Sequence, residues 1–316
     1  MLVKTYSAAL MALKAIKVII EVNVNKGMRF VIVGLPDNAV KESQQRNMAP
    51  ADVKKEGASY DLPIAIGLLA ASGIITSTNL DRYMMIGELG LDGSVRPVSG
   101  ILSIAILARE LKMDGLIVPI DNVREASVVN NLNVYGVKSL EEVVRMLNGQ
   151  LSIEPTTTDT REEFAKNQSS FDLDFADVKG QETVKRALEV AAAGGHNLIM
   201  IGPPGSGKTM MAQRLPSILP PLTLRESLET TQIYSVASAL KRDSTLIATR
   251  PFRSPHHTIS QVALCGGGTN PHPGEICLAH NGVLFCDELP EFSRSTLEVL
   301  RQPMEDRKIV ISRAKY

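Results

Sequence analysis

The sequence predicts an α/β protein of two domains, the second built on a parallel sheet around a phosphate-binding loop. Three observations predict it. Short β-rich apolar runs alternate along the chain with helix-length stretches. A strand-length apolar run, Leu198 to Ile201, leads straight into Gly202, Pro203, Pro204, Gly205, Ser206, Gly207, Lys208 and Thr209, which fit G-x-x-x-x-G-K-[ST]. Further along, the apolar run Gly282 to Cys286 ends in Asp287 and Glu288. The chain has 316 residues, enough for about two domains.

Composition narrows the classes. Hydrophobic residues make up 44% and charged residues 22%, the balance of a globular core with a polar surface. The formal net charge is zero, so any nucleic-acid surface must be a local patch. No apolar run reaches the roughly 18 residues of a membrane helix. The start, MLVKTYSAALMALKAIKV, has some likeness to a signal peptide, but Lys14 and Lys17 end its apolar part early and a strand-like run follows. It reads as mature chain. Cys265, Cys277 and Cys286 show no C-x-x-C spacing, so reduced thiols of a cytoplasmic protein are expected and no zinc site.

Taken in order, the first half runs from Met1 to about residue 150. Val18 to Val24 and Phe30 to Val33 are β-rich, with a hairpin turn expected at Asn25 to Met28. Gly34 to Asp37 ends the second strand and caps a helix from Asn38. Asp61 to Ala71 is apolar on most faces, a buried helix with Pro63 in its first turn. Met84 to Leu89 and Ser94 to Val98 form a strand pair across Asp92 and Gly93. Gly100 to Leu111 is helical, Leu116 to Pro119 a buried strand, and Ser139 to Leu147 a short helix. Residues 151–170, LSIEPTTTDTREEFAKNQSS, are polar and rich in Thr and Ser, an exposed connection between domains.

The second domain spans residues 171–316. A helix is expected from Glu182 to about Ala193, with Gln181 before it; a plain helix cap and a nucleotide contact are both open for Gln181. His196 ends a loop. In the phosphate loop the glycines allow a tight turn that aims backbone N–H groups at phosphates. A helix starting near Lys208 adds the positive end of its dipole. Lys208 reaches the β- and γ-phosphates of ATP and the Thr209 hydroxyl holds Mg²⁺. Asp287 orients Mg²⁺, directly or through water, and Glu288 polarises the attacking water. Both carboxylates sit at the carboxyl end of a strand, where open α/β sheets bind ligands.

Between the motifs lie Arg250 to Thr258 and a Gly/Pro-rich loop, Cys265 to Ile276. His256, His257 and His272 lack H-x₃₋₅-H spacing, so a structural role outweighs a metal. Arg250 and Arg253 meet DNA phosphates or form an ordinary solvated surface.

Two resemblances follow from longer motifs. MIGELGLDGSVRPVSGILSIAILARELKMDGLIVPIDN and KKEGASYDLPIAIG resemble the proteolytic domain of Lon proteases. That family uses a Ser–Lys pair; Ser59 lies at or beside the serine position, but Leu102 occupies the lysine position, and Lys112 lies too far along. The resemblance therefore implies a Lon-like scaffold without its chemistry. GPPGSGKT, PFRSPHHTIS, ALCGGGTNPHPGEICLAHNGVLFCDELPEF and LRQPMEDRKIVISRA, with KESQQR and APADVKKEG, resemble the Mg-chelatase-related AAA+ proteins of the ComM/YifB type over nearly the whole chain.

This second resemblance implies a cytoplasmic hexameric motor using ATP and Mg²⁺. It implies action on single-stranded or branched DNA, as a helicase promoting branch migration in recombination. An ATP-dependent protease and a metal-insertion motor are the alternatives. It places Gln181 in an adenine-pocket segment, and makes the loop Gly266 to Gly274 and a hairpin at Asp306 to Arg313 inserts facing a central pore. The family pattern also carries a helix end and a strand between Arg46 and Asn47, and, after Tyr316, a sensor residue, an arginine finger and a helical lid.

Overall fold

The computed structural model describes residues 2–23, 48–49, 58–168, 173–240, 245–268, 272–306 and 308. The chain divides into two compact units, Met1–Thr160 with Ser238–Thr245, and Arg161–Ala237 with Leu246–Tyr316.

The first unit opens on a hairpin of β1 (Leu2–Met11) and β2 (Lys14–Asn23), paired antiparallel along their full length and turned at Ala12, which takes φ 52°. The run expected as a strand from Val18 is thus the second arm of this hairpin. Its expected partner Phe30 to Val33, the turn at Asn25 to Met28 and the helix from Asn38 lie outside the described residues, as does the junction at Arg46 and Asn47. β3 (Met48–Ala49) pairs antiparallel with β2.

Helix α1 (Asp61–Ala71) carries Pro63 in its first turn, where the missing N–H has no helical partner to lose. The Pro63 carbonyl accepts from the buried Thr5 hydroxyl at 3.0 Å. Leu62 and Ile66 are fully buried and pack with Met85, Ile117, Val137 and Val143 to form the main core.

The stretch Met84 to Leu89, expected as one strand, divides. β4 (Tyr83–Met85) joins the large sheet, whereas β5 (Glu88–Leu89) pairs antiparallel with β6 (Val95–Arg96). The reason is burial: Met84, Met85 and Ile86 are core residues, while Glu88 and Leu89 are half-buried and suit a peripheral hairpin. Helix α2 (Ile101–Glu110) crosses from this hairpin to β7 (Gly115–Pro119), every residue of which is buried. Helix α3 (Val123–Ser127), β8 (Val134–Val137) and helix α4 (Leu140–Leu147), capped by the Ser139 hydroxyl, complete the layer.

The six-stranded sheet has the order β3-β2-β1-β4-β7-β8. β1, β4, β7 and β8 run parallel, and β2 and β3 extend the sheet antiparallel. In the polar stretch that follows, the Thr156 N–H donates to Val134 O at 2.8 Å. Helix α5 (Thr160–Asn167) starts at a buried Thr160, whose hydroxyl donates to Val128 O at 2.6 Å.

The second unit is held by helices. Helices α6 (Glu182–Gly194) and α7 (Lys208–Ile218) bury Leu188 and Met211 against Phe175 and Val178. Helix α8 (Leu224–Val236) begins in a capping box of Thr223 and Glu226. β9 (Phe252–Arg253) leads to α9 (Gln261–Cys265). The β-hairpin of β10 (Gly266–Gly267) and β11 (His272–Pro273) follows, then α10 (Glu275–Leu278). β12 (Val283–Leu284) pairs parallel with β9, and α11 (Arg294–Asp306) ends the described part.

Parallel pairing in this unit is confined, among the described residues, to β9 and β12. The apolar run Leu198 to Ile201 is not a strand, which corrects the expectation. Leu198, Ile199 and Ile201 are exposed, Ile201 by 90%, and Met200 is half-buried against the core of this unit. A short apolar run becomes a strand only where a neighbour supplies a ladder, and no described segment does so here.

Candidate nucleotide site

The phosphate loop is shaped by its glycines. Gly205 and Gly207 take φ of 74° and 82°, a region that other residues enter at a cost of about 1–2 kcal/mol. Gly207 is the N-cap of α7, so the helix starts at Lys208 and its first N–H groups point back toward the loop. Gly202, Pro203, Pro204, Gly205 and Thr209 are exposed; Ser206, Gly207 and Lys208 are half-buried.

The Lys208 ammonium folds over the loop. Nζ donates to Gly202 O at 2.9 Å and to Pro203 O at 3.0 Å, with Ser206 Oγ at 3.5 Å. These are surface bonds to neutral carbonyls. The donor is already charged, so an anion in the loop would add the attraction of an opposite charge to bonds that the ammonium now makes to neutral oxygens.

Gln181 stands before α6 at φ 55°, and its Nε2 donates to Ser206 O at 3.0 Å. The side chain thus ties the entry of α6 to the phosphate loop. It makes no side-chain cap bond.

β12 delivers the two carboxylates. Its start is pinned by the Val283 N–H donating to Pro251 O, and the pairing continues through the Phe285 N–H to Arg253 O, both at 2.8 Å. The Phe252 and Phe285 rings stack, with centroids 5.9 Å apart. Beyond this segment, Asp287 Oδ2 accepts from the Thr209 hydroxyl at 2.8 Å, across 78 positions of sequence. Asp287 Oδ1 accepts the Glu288 N–H at 3.0 Å. Glu288 itself sits at φ 52°, ψ 49°, an uncommon conformation for a residue with a side chain, and its carboxylate is exposed. Such local strain clusters at functional sites.

Lys208, Thr209, Asp287, Gln181 and the glycine loop therefore converge, with Glu288 one residue from the contact. The donor set fits a hard divalent ion: a hydroxyl and a carboxylate oxygen already in contact, beside a loop suited to phosphates. Among the described residues no group of three or more His, Cys, Asp or Glu forms a metal cluster.

Other candidates fall elsewhere. Arg250 turns inward: Nη1 donates to Asn281 O at 2.7 Å, Nε bonds Pro220 O, and Glu226 lies 3.8 Å away. Arg253 forms a two-pronged pair with Glu275 at 2.6 and 2.7 Å, and this bond holds its guanidinium pKa above the ordinary value. Neither arginine is a solvated cation; both tie segments of the unit together. Burial raises the pKa of all three thiols, Cys265, Cys277 and Cys286. In the first unit, Leu102 is fully buried in α2 and its N–H donates to Glu125 at 2.9 Å, so an apolar core residue fills that position. Ser59 lies in a single turn of 3₁₀ helix, Ala58–Tyr60.

Sequence reasoning passed over one neighbour of the site. His257 Nδ1 lies 3.8 Å from Glu288 Oε2. In the sequence the His-His pair bears only on metal binding, and no spacing links it to Glu288.

Residues 174–316 match the family model "Magnesium chelatase, subunit ChlI", and residues 47–122 match "Subunit ChlI of Mg-chelatase". Competence protein ComM of Haemophilus influenzae is 46% identical over 331 residues, covering 98% of this chain and 64% of that protein. YifB of Escherichia coli is 43% identical over 331 residues, with the same coverage of each. Lon protease 2 of Bacillus subtilis is 31% identical over 156 residues, 45% of this chain and 27% of that protein. The chain thus spans a little under two thirds of the ComM and YifB proteins it matches.

Proposed function

We propose that this chain, which belongs to the magnesium-chelatase-related AAA+ family of the ComM/YifB type, is the ATP-hydrolysing part of a motor that acts on DNA. The observation that carries the reading is the Thr209–Asp287 contact at 2.8 Å, which brings the phosphate loop and the second motif to one point.

In this reading the loop from Gly202 to Gly207 and the N-terminus of α7 hold the triphosphate. Lys208 leaves the Gly202 and Pro203 carbonyls for the β- and γ-phosphate oxygens. Thr209 and Asp287 hold Mg²⁺, which when bound neutralises charge on the phosphates. Gln181 holds the loop through its bond to Ser206 O. Glu288 takes a proton from water as the water oxygen bonds the γ-phosphorus and the bond from that phosphorus to the β-bridging oxygen breaks. ADP and phosphate leave, and the proton passes to the products. Lys208 and Glu288 are the catalytic residues.

DNA is the proposed substrate of the motion, in single-stranded or branched form, with branch migration the proposed outcome. The name of the ComM relative, a competence protein, supports a role with incoming DNA. The glycine-rich hairpin of β10 and β11 is the proposed contact, since α10, which follows it, is bonded through Glu275 to Arg253 on β9. Proteolysis has less support: the Lon likeness is partial, and Leu102 is an apolar core residue where a proton acceptor is needed.

The test is ATP turnover by the full-length protein with and without branched or single-stranded DNA. At low salt, DNA is expected to raise turnover several-fold, and the gain should fall as salt rises. No binding and no stimulation at low salt would contradict the DNA assignment.

A further inference from the structure

We propose that His257 is a positioning residue for Glu288, its Nδ1–H holding the carboxylate in the orientation from which it takes the proton of the attacking water. The inference rests on the ATPase reading above and adds a residue to it.

Register places the pair. β9 and β12 run parallel, with Leu284 opposite Arg253. Parallel strands end on the same side of their sheet, so the segments that leave them travel out together. Glu288 lies four residues past Leu284, and His257 lies four residues past Arg253. The pairing persists one residue beyond β12, through Phe285 N–H to Arg253 O. The segments that leave this pair bring the imidazole to 3.8 Å from the carboxylate.

The two partners differ in freedom. The His257 ring faces His256 at 4.1 Å between centroids and meets the edge of Phe292 at 6.5 Å. His256 is itself tied to the Thr258 hydroxyl at 2.9 Å. The His257 side chain is 30% exposed and that of Glu288 is 70% exposed. The Glu288 backbone is fixed by its N–H bond to Asp287, so its remaining freedom is in the side-chain torsions. A braced donor next to a loose acceptor orients the acceptor. The present separation of 3.8 Å is longer than a hydrogen bond, and such contacts commonly shorten once substrate is in place.

Two substitutions separate the N–H from the ring. His257→Phe keeps an aromatic ring against His256 and Phe292 but removes the donor. His257→Asn restores an N–H near the same position and removes the ring. In the full-length protein, kcat of His257→Phe should fall about tenfold or more with KM for ATP within about twofold, since supporting residues cost 10–100-fold when lost. His257→Asn should recover to within a few-fold of wild type. On a Glu288→Gln background, His257→Phe should cost nothing further.

Wild-type kcat in His257→Phe would overturn the inference. So would an Asn variant as slow as Phe, or a change confined to KM. Because His257→Phe keeps the ring, an unchanged melting temperature and ATP affinity are expected with it. If wild type turns over ATP and Glu288→Gln does not, an unaffected His257→Phe removes only this inference. If wild type and Glu288→Gln behave alike, the ATPase reading itself fails, and this inference with it.

Discussion

At the scale of single residues, Thr209 makes the contact on which the proposed metal site depends. Its hydroxyl donates to Asp287, and both side chains would hold a magnesium ion in place of that hydrogen bond. Thr209→Val removes the oxygen and keeps the shape. ATP turnover by the variant should need a Mg²⁺ concentration at least about tenfold higher, as expected when one oxygen ligand is lost. A titration of turnover against Mg²⁺ checks this, and an unshifted curve would take Thr209 out of the site. The identity of these residues was legible in the sequence, because the glycine loop and the strand ending in two carboxylates each follow a chemical rule. The inward turn of Arg250 was not. Its partners are the backbone carbonyls of Asn281 and Pro220, and carbonyls leave no mark in a residue pattern.

At the scale of elements, α8 shows how local chemistry fixes a boundary. Thr223 and Glu226 cap each other across its first turn. The Thr223 N–H and hydroxyl both donate to the Glu226 carboxylate, and the backbone bond chiefly holds its pKa below the usual 4.5, with Arg250 helping. The folded state therefore binds that proton less readily than the unfolded chain does. Its contribution to stability is full above the unfolded value of 4.5 and is lost as pH falls through the lower folded value. Glu226→Gln keeps a box-compatible side chain without the charge. Its melting temperature should lie below wild type at neutral pH, and the gap should close as pH falls through the lowered folded value. A gap independent of pH would mean that the carboxylate charge does not stabilise the cap.

The same scale explains where expectation and structure parted. Helix positions were legible from apolar content and turn residues, as for α1 with Pro63 and α4 with Ser139. Strand pairing was not. The hairpin of β1 and β2 hides in a sequence whose first arm alternates weakly, since Thr5 and Ser7 are buried among the apolar residues. Leu198 to Ile201 has the composition of a strand, but composition does not supply a neighbour. A ladder is a property of two segments, and a single run of residues specifies only one of them.

At the scale of the whole molecule, the chain carries two units and spans 64% of the length of its ComM and YifB relatives. Ring assembly and DNA movement are therefore proposals for the full-length protein. A ring motor whose subunits meet around nucleotide should assemble when ATP is held unhydrolysed. With Glu288→Gln and ATP, the full-length protein should shift from small species to a single species of about six subunits by sedimentation, as the family resemblance implies. A monomer at all nucleotide concentrations would exclude the ring.

The second unit's chemistry is most directly tested by measuring ATP binding and ATP turnover side by side in wild type, Lys208→Ala and Glu288→Gln. Wild type should bind and hydrolyse ATP with Mg²⁺. Lys208→Ala should lose binding and turnover together, by on the order of 100-fold. Glu288→Gln should keep wild-type binding while turnover falls about 100-fold or more, the loss expected when a proton acceptor is removed. Equal binding and equal turnover in all three proteins would contradict the placement of ATP between the glycine loop and the paired carboxylates.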